Sequence, residues 1–441
     1  MYRYIIEDKQ HVQPFNEPAS MLTIGTEVLK FHQDELFTRY FGGNAELRGV
    51  FSNREQLVTC QGEAVVYRDN LWFDEEFLDY FMKAARRSNS PCRAAIAADD
   101  RAFSTYTIPL AQDLQPARDE TGRQIYYLDL WYFPRSYDPG VKPIVVPSDF
   151  REIGFFSVPD YMTMEQGDLT HYAPMRSVIS VESWVHVYFA SIIFGTFARS
   201  GRLDHKIEKS FFASLRLLWH AVIEQKQVLS ASGAVEIGKD TNIDPSAIIR
   251  GPAKIGNRVS IGAGVVIDNC TIGDDVTIDA GCVMFQSVVG NGCFLPFRAS
   301  LYLTALMENT IVAQNTCLQM CVIGRDSFVG AGNTFTDFNL VAQKPIKATN
   351  RYGELEALNQ IVLGSAVGHN CRIGSGMVVF PGRMIESDTV LIASPNRRVI
   401  SRSVTYEESD HHFVKGGEVH QRQYPRDDEQ VAMPQSWEES W

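Results

Sequence analysis

The chain has no cysteine pair at metal-binding spacing: of its eight Cys, Cys317 and Cys321 are the closest together. Six of them (Cys270, Cys282, Cys293, Cys317, Cys321 and Cys371) crowd into one stretch. There a small apolar filler is useful, so reduced, mostly buried thiols are expected and neither zinc nor disulfides. No long hydrophobic run is present. The most apolar one, "WVHVYFASIIFGTFA" from Trp184 to Ala198, stops at fifteen residues, short of the roughly 20 that a spanning helix needs. No charged-then-apolar leader opens the sequence, which implies a cytoplasmic protein. Positive charge is scarce: 41 Lys and Arg face 53 Asp and Glu, for a net −12. That balance argues against nucleic acid as a partner and does not favour a membrane. Glycine is missing from the opening stretch "MYRYIIEDKQHVQPFNEP".

What the chain does have is a repeat. Ile237, Ile243, Ile249, Ile255, Ile261 and Ile267 stand six residues apart, and Gly238, Gly256 and Gly262 directly follow three of them. The spacing returns at Ile311, Cys317, Ile323, Val329, Phe335 and Val341, then at Ile361, Val367, Ile373, Val379, Ile385 and Leu391. Between these blocks it slips, at Ile272, Ile278 and Val289. A period of six fits neither a 3.6-residue helix nor an alternating strand. Two positions before the markers sits a class of small or β-branched residues: Val235, Thr241, Ala247, Ala253, Val259, Val265, Ser327, Ser365 and Cys371, with Met377 as the one large member. An inward apolar residue, a glycine turn and a small corner residue let a short strand repeat around a triangular coil. Only the next coil can cover each coil's apolar face.

The segments "AKIGNRVSIGAGVVI", "VIGRDSFVGAGNTFTDFNL" and "AVGHNCRIGSGMVVFPGRMI" resemble the hexapeptide-repeat transferases. The resemblance spans about residues 235 to 400 and implies a left-handed parallel β-helix that assembles as a homotrimer. It also implies acetyl-CoA or another acyl-CoA as co-substrate.

Residues 1 to about 180 lack the period and read as an α/β domain. In "GEAVVYRDNLWFDEEFLDYFMKAARR" we expect a strand at Ala64 to Tyr67, a turn at Arg68 to Asn70, and a helix with Phe77, Phe81 and Ala84 on one face. Together with "PFNEPASMLTIGTEVLKFHQDEL" this stretch resembles a divergent sugar nucleotidyltransferase domain. The resemblance places Asp69 where the family holds Mg²⁺, an ion that prefers hard oxygen ligands. It also calls for a Gly-rich phosphate loop near the N-terminus, which this chain lacks, so a degenerate domain is expected and Asp69 also reads as a plain turn or cap residue.

A helical connector follows over residues 181–230. In it Ile207, Phe211, Leu215, Leu218 and Val222 form a stripe read as core in a helical hairpin, with membrane contact the less favoured reading. After the repeat domain of residues 231–400 comes an acidic tail, 401–441. From Val404 on, three Lys or Arg face nine Asp or Glu, so the tail reads as solvated; Trp437 and Trp441 could dock on a neighbour.

For chemistry, His369 in "VGHNCRIG" resembles the His-Asn pair of the sugar acyltransferases of lipid A synthesis, with His369 as general base and Asn370 beside it. A polar corner of the coil is the plainer reading. "VGAGNTFTDFN" resembles the bifunctional uridyltransferase/acetyltransferases of UDP-N-acetylglucosamine synthesis. That alignment puts Gln314 where those enzymes carry the base and Phe338 where they carry Tyr, and Gln cannot act as a base. Asp337 and Asn339 lie in the same motif. In the break "AQKPIKATNRYGELEALNQ", Lys344, Lys347 and Arg351 could meet a CoA or sugar phosphate. One His in the repeat cannot make a three-His zinc site. The expected function is acyl-CoA-dependent transfer to a sugar or sugar nucleotide. The alternatives are a non-catalytic scaffold or ligand-binding protein with decayed sites, or a sugar-1-phosphate nucleotidyltransferase that would use Mg²⁺.

Overall fold

The computed structural model describes all residues except 44, 157–168, 210, 225–226, 340–343, 359, 414–419 and 428–441. The chain divides into two units. The first comprises Met1–Lys9, Pro18–Leu22 and Val28–Glu182; the second comprises Gln10–Glu17, Thr23–Glu27 and Ser183–Trp441.

The first unit is built on strands β1 (Tyr2–Ile6), β2 (Glu46–Phe51), β3 (Ala64–Arg68), β4 (Cys92–Ala97), β5 (Gln115–Arg118), β6 (Gln124–Phe133) and β7 (Lys142–Val145), in the order β7-β4-β6-β3-β1-β2, with β5 beside β6. β1 runs parallel to β2 and β3, and β6 is antiparallel to β3 and β4. β4 is buried along its whole length, apolar but for Arg93, which pairs with Asp129. Val65 and Tyr67 of β3 pack into one apolar cluster while Ala64 and Val66 pack into another, so both sheet faces are covered. One cover is helix α1 (Glu75–Ser88). Asp74 caps it by accepting from Phe77 N at 2.8 Å, Asn89 ends it in a left-handed conformation, and Phe77, Phe81 and Ala85 are buried. The helix presents Ala85 inward, with Ala84 at the boundary.

The second unit contains three parallel sheets of eight strands each. The chain visits them in turn, so each circuit adds one strand to each sheet and the walls close a prism, consistent with a left-handed parallel β-helix. Its core is the column of inward markers, among them Ile255, Ile272, Val289, Leu306, Ile323, Val367 and Ile385. Ile237 pairs with Ile255, eighteen positions on, but Lys254–Ile255 pairs with Thr271–Ile272, only seventeen on. The slip seen in the sequence is thus one residue dropped at the corner leading from third sheet to first. The shortened corners turn on a left-handed residue: Asn269, Gln286, Leu303 and Met320. The glycines after the markers serve another purpose than the turn we expected. A Cβ on Gly238 would lie 2.4 Å from Gly256 O, and one on Gly256 2.4 Å from Gly273 O. Close stacking of successive coils requires them, and their φ is not left-handed.

The outward row of the first sheet changes character along the axis. Glu236 and Lys254 are exposed, whereas Val288, Ala305, Val322, Ala366 and Met384 are buried. The segment Trp184–Phe197, itself buried, packs against this apolar part, next to Val288–Val289 and Val322–Ile323. The helix Phe211–Glu224 departs from expectation: Leu215, Leu218 and Val222 are 50%, 50% and 72% exposed. It presents Ala221 inward instead, and His220 and Glu224 reach Ser232. No helix among the described residues is long and apolar enough to cross a membrane.

The tail, read as solvated, forms structure as far as it is described. Val404 bridges Ile385, Tyr406–Glu408 and Asp410–Phe413 are short helices, and residues 420–427 lie on the prism. Trp437 and Trp441 lie outside the described residues.

Candidate active site

The expected site residues fall on three different corners of the prism and on the first unit. His369 and Asn370 follow the first-sheet strand Ala366–Val367, at the corner leading to the second sheet. Gln314 follows the second-sheet strand Ile311–Val312, and its carbonyl accepts from Gly332 N at 3.0 Å. Asp337 and Asn339 follow the third-sheet strand Thr334–Phe335. They open the insertion that carries Lys344, Lys347 and Arg351.

His369 is fully buried. Its Nδ1 accepts from Arg325 N at 3.0 Å, so in the neutral ring Nε2 carries the proton. Nε2 lies 3.2 Å from Glu17 Oε1, but off the line of a good hydrogen bond. Burial lowers the pKa of the ring, and the Glu17 charge only partly opposes this. Glu17 also pairs with Arg325 at 2.6 Å; Arg325 reaches Glu308 at 2.9 Å, and Glu308 accepts from Thr23 Oγ1 at 2.6 Å.

Two segments from opposite ends of the chain close this corner. Phe15 and Tyr424 flank the imidazole with ring centroids 5.1 and 4.8 Å away. Ser387 Oγ accepts from His369 N at 2.8 Å and is within hydrogen-bonding distance of Pro14 O and Phe15 O. Asn16 Nδ2 donates to Glu386 Oε1 and to Tyr424 O, each at 2.9 Å. Arg422 and Arg426 pair with Glu386, and Gln423 N and Tyr424 N donate to Asp388 Oδ2 at 2.8 and 2.7 Å. Glycine makes room for the segment: a Cβ on Gly368 would lie 2.6 Å from Pro14 O. Asn370 is left-handed and donates from Nδ2 to Asp388 Oδ1 at 2.8 Å. It belongs to a column of left-handed corner residues with Asp240, Asp275, Asn309, Asp326 and Asp388. Glu17 left no local pattern in the sequence, because hundreds of positions separate it from His369; Arg325, Glu386 and Asp388 lie on the coils directly before and after His369, and counting one coil back or forward from it finds them.

At the third corner the insertion folds into a hairpin, Lys347–Thr349 against Leu355–Ala357, whose turn is held by Asn350. Ile346, Ala348 and Leu358 are buried, and Thr349 O accepts from Ser183 Oγ at 3.1 Å, so the hairpin packs against its own unit. Lys344 is exposed; Lys347 and Arg351 are half-buried. Burial raises the pKa of Asp337.

In the first unit Asp69 and Asp8 follow the carboxyl ends of β3 and β1, where the strand order reverses, the usual ligand position in such sheets. Burial pushes the Asp69 carboxyl up to about 6, and the Asp8 charge adds to it. Asp69 Oδ1 already accepts from Asp8 N at 2.7 Å, and Asp8 Oδ2 accepts from Asn70 at 2.9 Å and lies 3.4 Å from Arg68. Residues Gln10–Glu17, which follow β1, belong to the prism unit. Among the described residues no group of three His, Cys, Asp or Glu could hold a metal. This donor set fits a Mg²⁺–nucleotide poorly: one oxygen of each carboxylate is engaged, the Asp69 carboxyl is half protonated near pH 6, and among the described residues no amide-rich loop adjoins it.

Residues 234–269 match the family model described as "Bacterial transferase hexapeptide (six repeats)". The chain is 28% identical over 190 residues to "Bifunctional protein GlmU" of Francisella philomiragia, covering 39% of this chain and 42% of that one. It is 33% identical over 96 residues to the protein of that name from Pseudoalteromonas atlantica, 22% of this chain and 21% of the relative. The match to the Marinobacter nauticus protein of that name is 30% over 178 residues, 40% and 38%. The chain thus spans at most about two-fifths of the length of these curated relatives. A solved structure titled as that of the polysialic acid O-acetyltransferase OatWY aligns at 17% identity over 39% of this chain and 80% of that one, with a TM-score of 0.19, too slight to bear on fold or activity.

Proposed function

We propose that the chain is an acyl-CoA-dependent transferase acting on a sugar or sugar nucleotide, assembled as a homotrimer. The observation that carries this reading is a prism of transferase-type hexapeptide repeats on the same chain as an α/β unit. In such a reaction the acceptor's amine or hydroxyl attacks the thioester carbonyl, its proton passes to a base, and CoA leaves as the thiolate. His369 is the candidate base, with Glu17 beside it to stabilise the imidazolium. For that role Phe15 and Tyr424 must swing away and the Arg325 amide must release Nδ1, since the ring as described is sealed. Asn370 holds the corner's shape. Asp337, Asn339, Lys344, Lys347 and Arg351 are candidates for substrate contact at the third corner, and Gln314 at the second.

The test is CoA release from acetyl-CoA and longer acyl-CoAs. Release that persists unchanged in His369→Ala removes His369 from the chemistry, and no release with any donor removes the reaction. The sealing of His369 favours a second reading, a scaffold whose sites have decayed; calorimetry separates the two, because a scaffold binds none of acetyl-CoA, longer acyl-CoAs or UTP. Light scattering on the full chain tests the trimer, for which the exposed Leu215, Leu218 and Val222 offer apolar surface.

A further inference from the structure

Two positions ahead of each inward marker of the first sheet, the chain passes a tight corner. The occupants are Val235, Ala253, Cys270, Ser287, Thr304, Cys321 and Ser365, every one small or β-branched and buried. Ahead of Ile385 the same position holds Arg383, only 4% exposed. The guanidinium Nε donates to Ser401 O at 2.6 Å. Its two terminal nitrogens make no hydrogen bond to the described residues, yet they are not sealed from solvent.

Among the described residues no carboxylate pairs with this charge. Burial alone acts on it, lowering its pKa to about 10. Three other deep arginines have carboxylate partners, Arg3 with Asp34 at 2.7 Å, Arg93 with Asp129 at 2.7 Å and Arg325 with Glu17 and Glu308, while Arg199 is held by two backbone carbonyls, Pro252 O and Cys270 O. Even Arg402, which holds the equivalent position one coil further on, pairs with Glu408 at 2.6 Å. A buried, unmatched guanidinium destabilises a fold, so a chain keeps one where something else supplies the counter-charge. The hairpin that carries Lys347 runs alongside. Gly382, left-handed at φ +72, precedes Arg383, and a Cβ there would lie 2.7 Å from Lys347 O and 3.0 Å from Ile346 Cγ2. Lys347 therefore belongs to the strand that walls this corner.

We propose that Arg383, walled by the strand Lys347–Thr349, is a recognition site for a phosphate group of a substrate. The planar guanidinium fork suits phosphate oxygens. That phosphate could belong to an acyl donor of the CoA type or to a sugar nucleotide acceptor. The choice of substrate rests on the transferase reading; the site itself does not.

The test is thermal unfolding of the full chain, alone and with inorganic pyrophosphate, CoA or UDP-N-acetylglucosamine, for wild type, Arg383→Met and Arg383→Lys. Pyrophosphate is expected to raise the wild-type midpoint, with no rise in Arg383→Met and a smaller one in Arg383→Lys, which keeps charge without the fork. Arg383→Met alone should unfold no lower than wild type. The one of CoA and UDP-N-acetylglucosamine that carries the recognised phosphate should lose about tenfold or more in affinity with Arg383→Met. The decisive reading is the ligand-induced shift: its absence from wild type, or its survival in Arg383→Met, overturns the site. Since no turnover is needed, a chain that transfers nothing still answers the question. Should Arg383→Met fail to fold, Arg383→Lys decides: a full wild-type shift overturns the site and a reduced one supports it.

Discussion

Two corners of one prism treat buried charge in opposite ways. At the first corner every carboxylate near His369 has partners: Glu17 and Glu308 face Arg325, Glu386 faces Arg422 and Arg426, and Asp388 takes two backbone amides and Asn370. At the third corner Arg383 has a single carbonyl. A network of matched charges holds structure; an unmatched charge marks a place where the chain is incomplete by itself. By that standard His369, the residue the sequence singles out, sits in the more structural of the two settings.

The comparison can be broken in several ways. Glu386→Ala strips the counter-charge from Arg422 and leaves Arg426 with Glu407 alone, and should cost about 3 kcal/mol in urea unfolding, with faster proteolysis near residues 420–427. No loss in either measurement would mean that the first corner does not depend on its charges. Gly368→Ala, which forces Pro14 away, should cost about 2 kcal/mol. In the first unit, Asp69 titrates near 6 when folded and at its ordinary 3.8 when unfolded. Between those values the folded chain binds more protons, so stability falls as pH rises through the window and stays lower above it. Asp69→Asn should therefore raise stability at pH 7 by about 1–2 kcal/mol. His369 has the opposite sign: burial lowers its folded pKa below 6.5, so its neutral ring contributes nothing adverse above 6.5 and weakens the fold as pH drops below it. Tyr424→Ala, which opens one side of the ring, should move the His369 pKa up towards 6.5 in NMR titration, at a cost of about 1 kcal/mol or less.

The prism was legible because its period is imposed by the geometry of stacking, which acts on every sixth residue regardless of neighbours. The slip at Ile272 was visible but not its cause, since a single residue lost at one corner leaves the inward pattern intact on both sides. Gly238 and Gly256 read as turn residues because sequence shows a small residue and not the carbonyl 2.4 Å from its missing Cβ. The stripe Leu215, Leu218 and Val222 had the right spacing for a helix, but periodicity does not say which face meets the body. Arg383 is legible in the sequence: counting two back from Ile385, as for the other first-sheet markers, exposes the break. Glu17 beside His369 was not legible at all.

That last pairing joins residues 352 positions apart, with Pro14, Phe15 and Asn16 locked to Ser387 and Glu386 at similar separations. Loop-closure entropy makes such contacts late ones. On the ribosome, residues 10–17 emerge hundreds of residues ahead of their partners and have no docking surface until the final coil and residues 420–427 have been made. The corner at His369 is thus a late seam of the prism, and a chain stalled or clipped ahead of residue 420 keeps a nearly whole prism with that seam ajar.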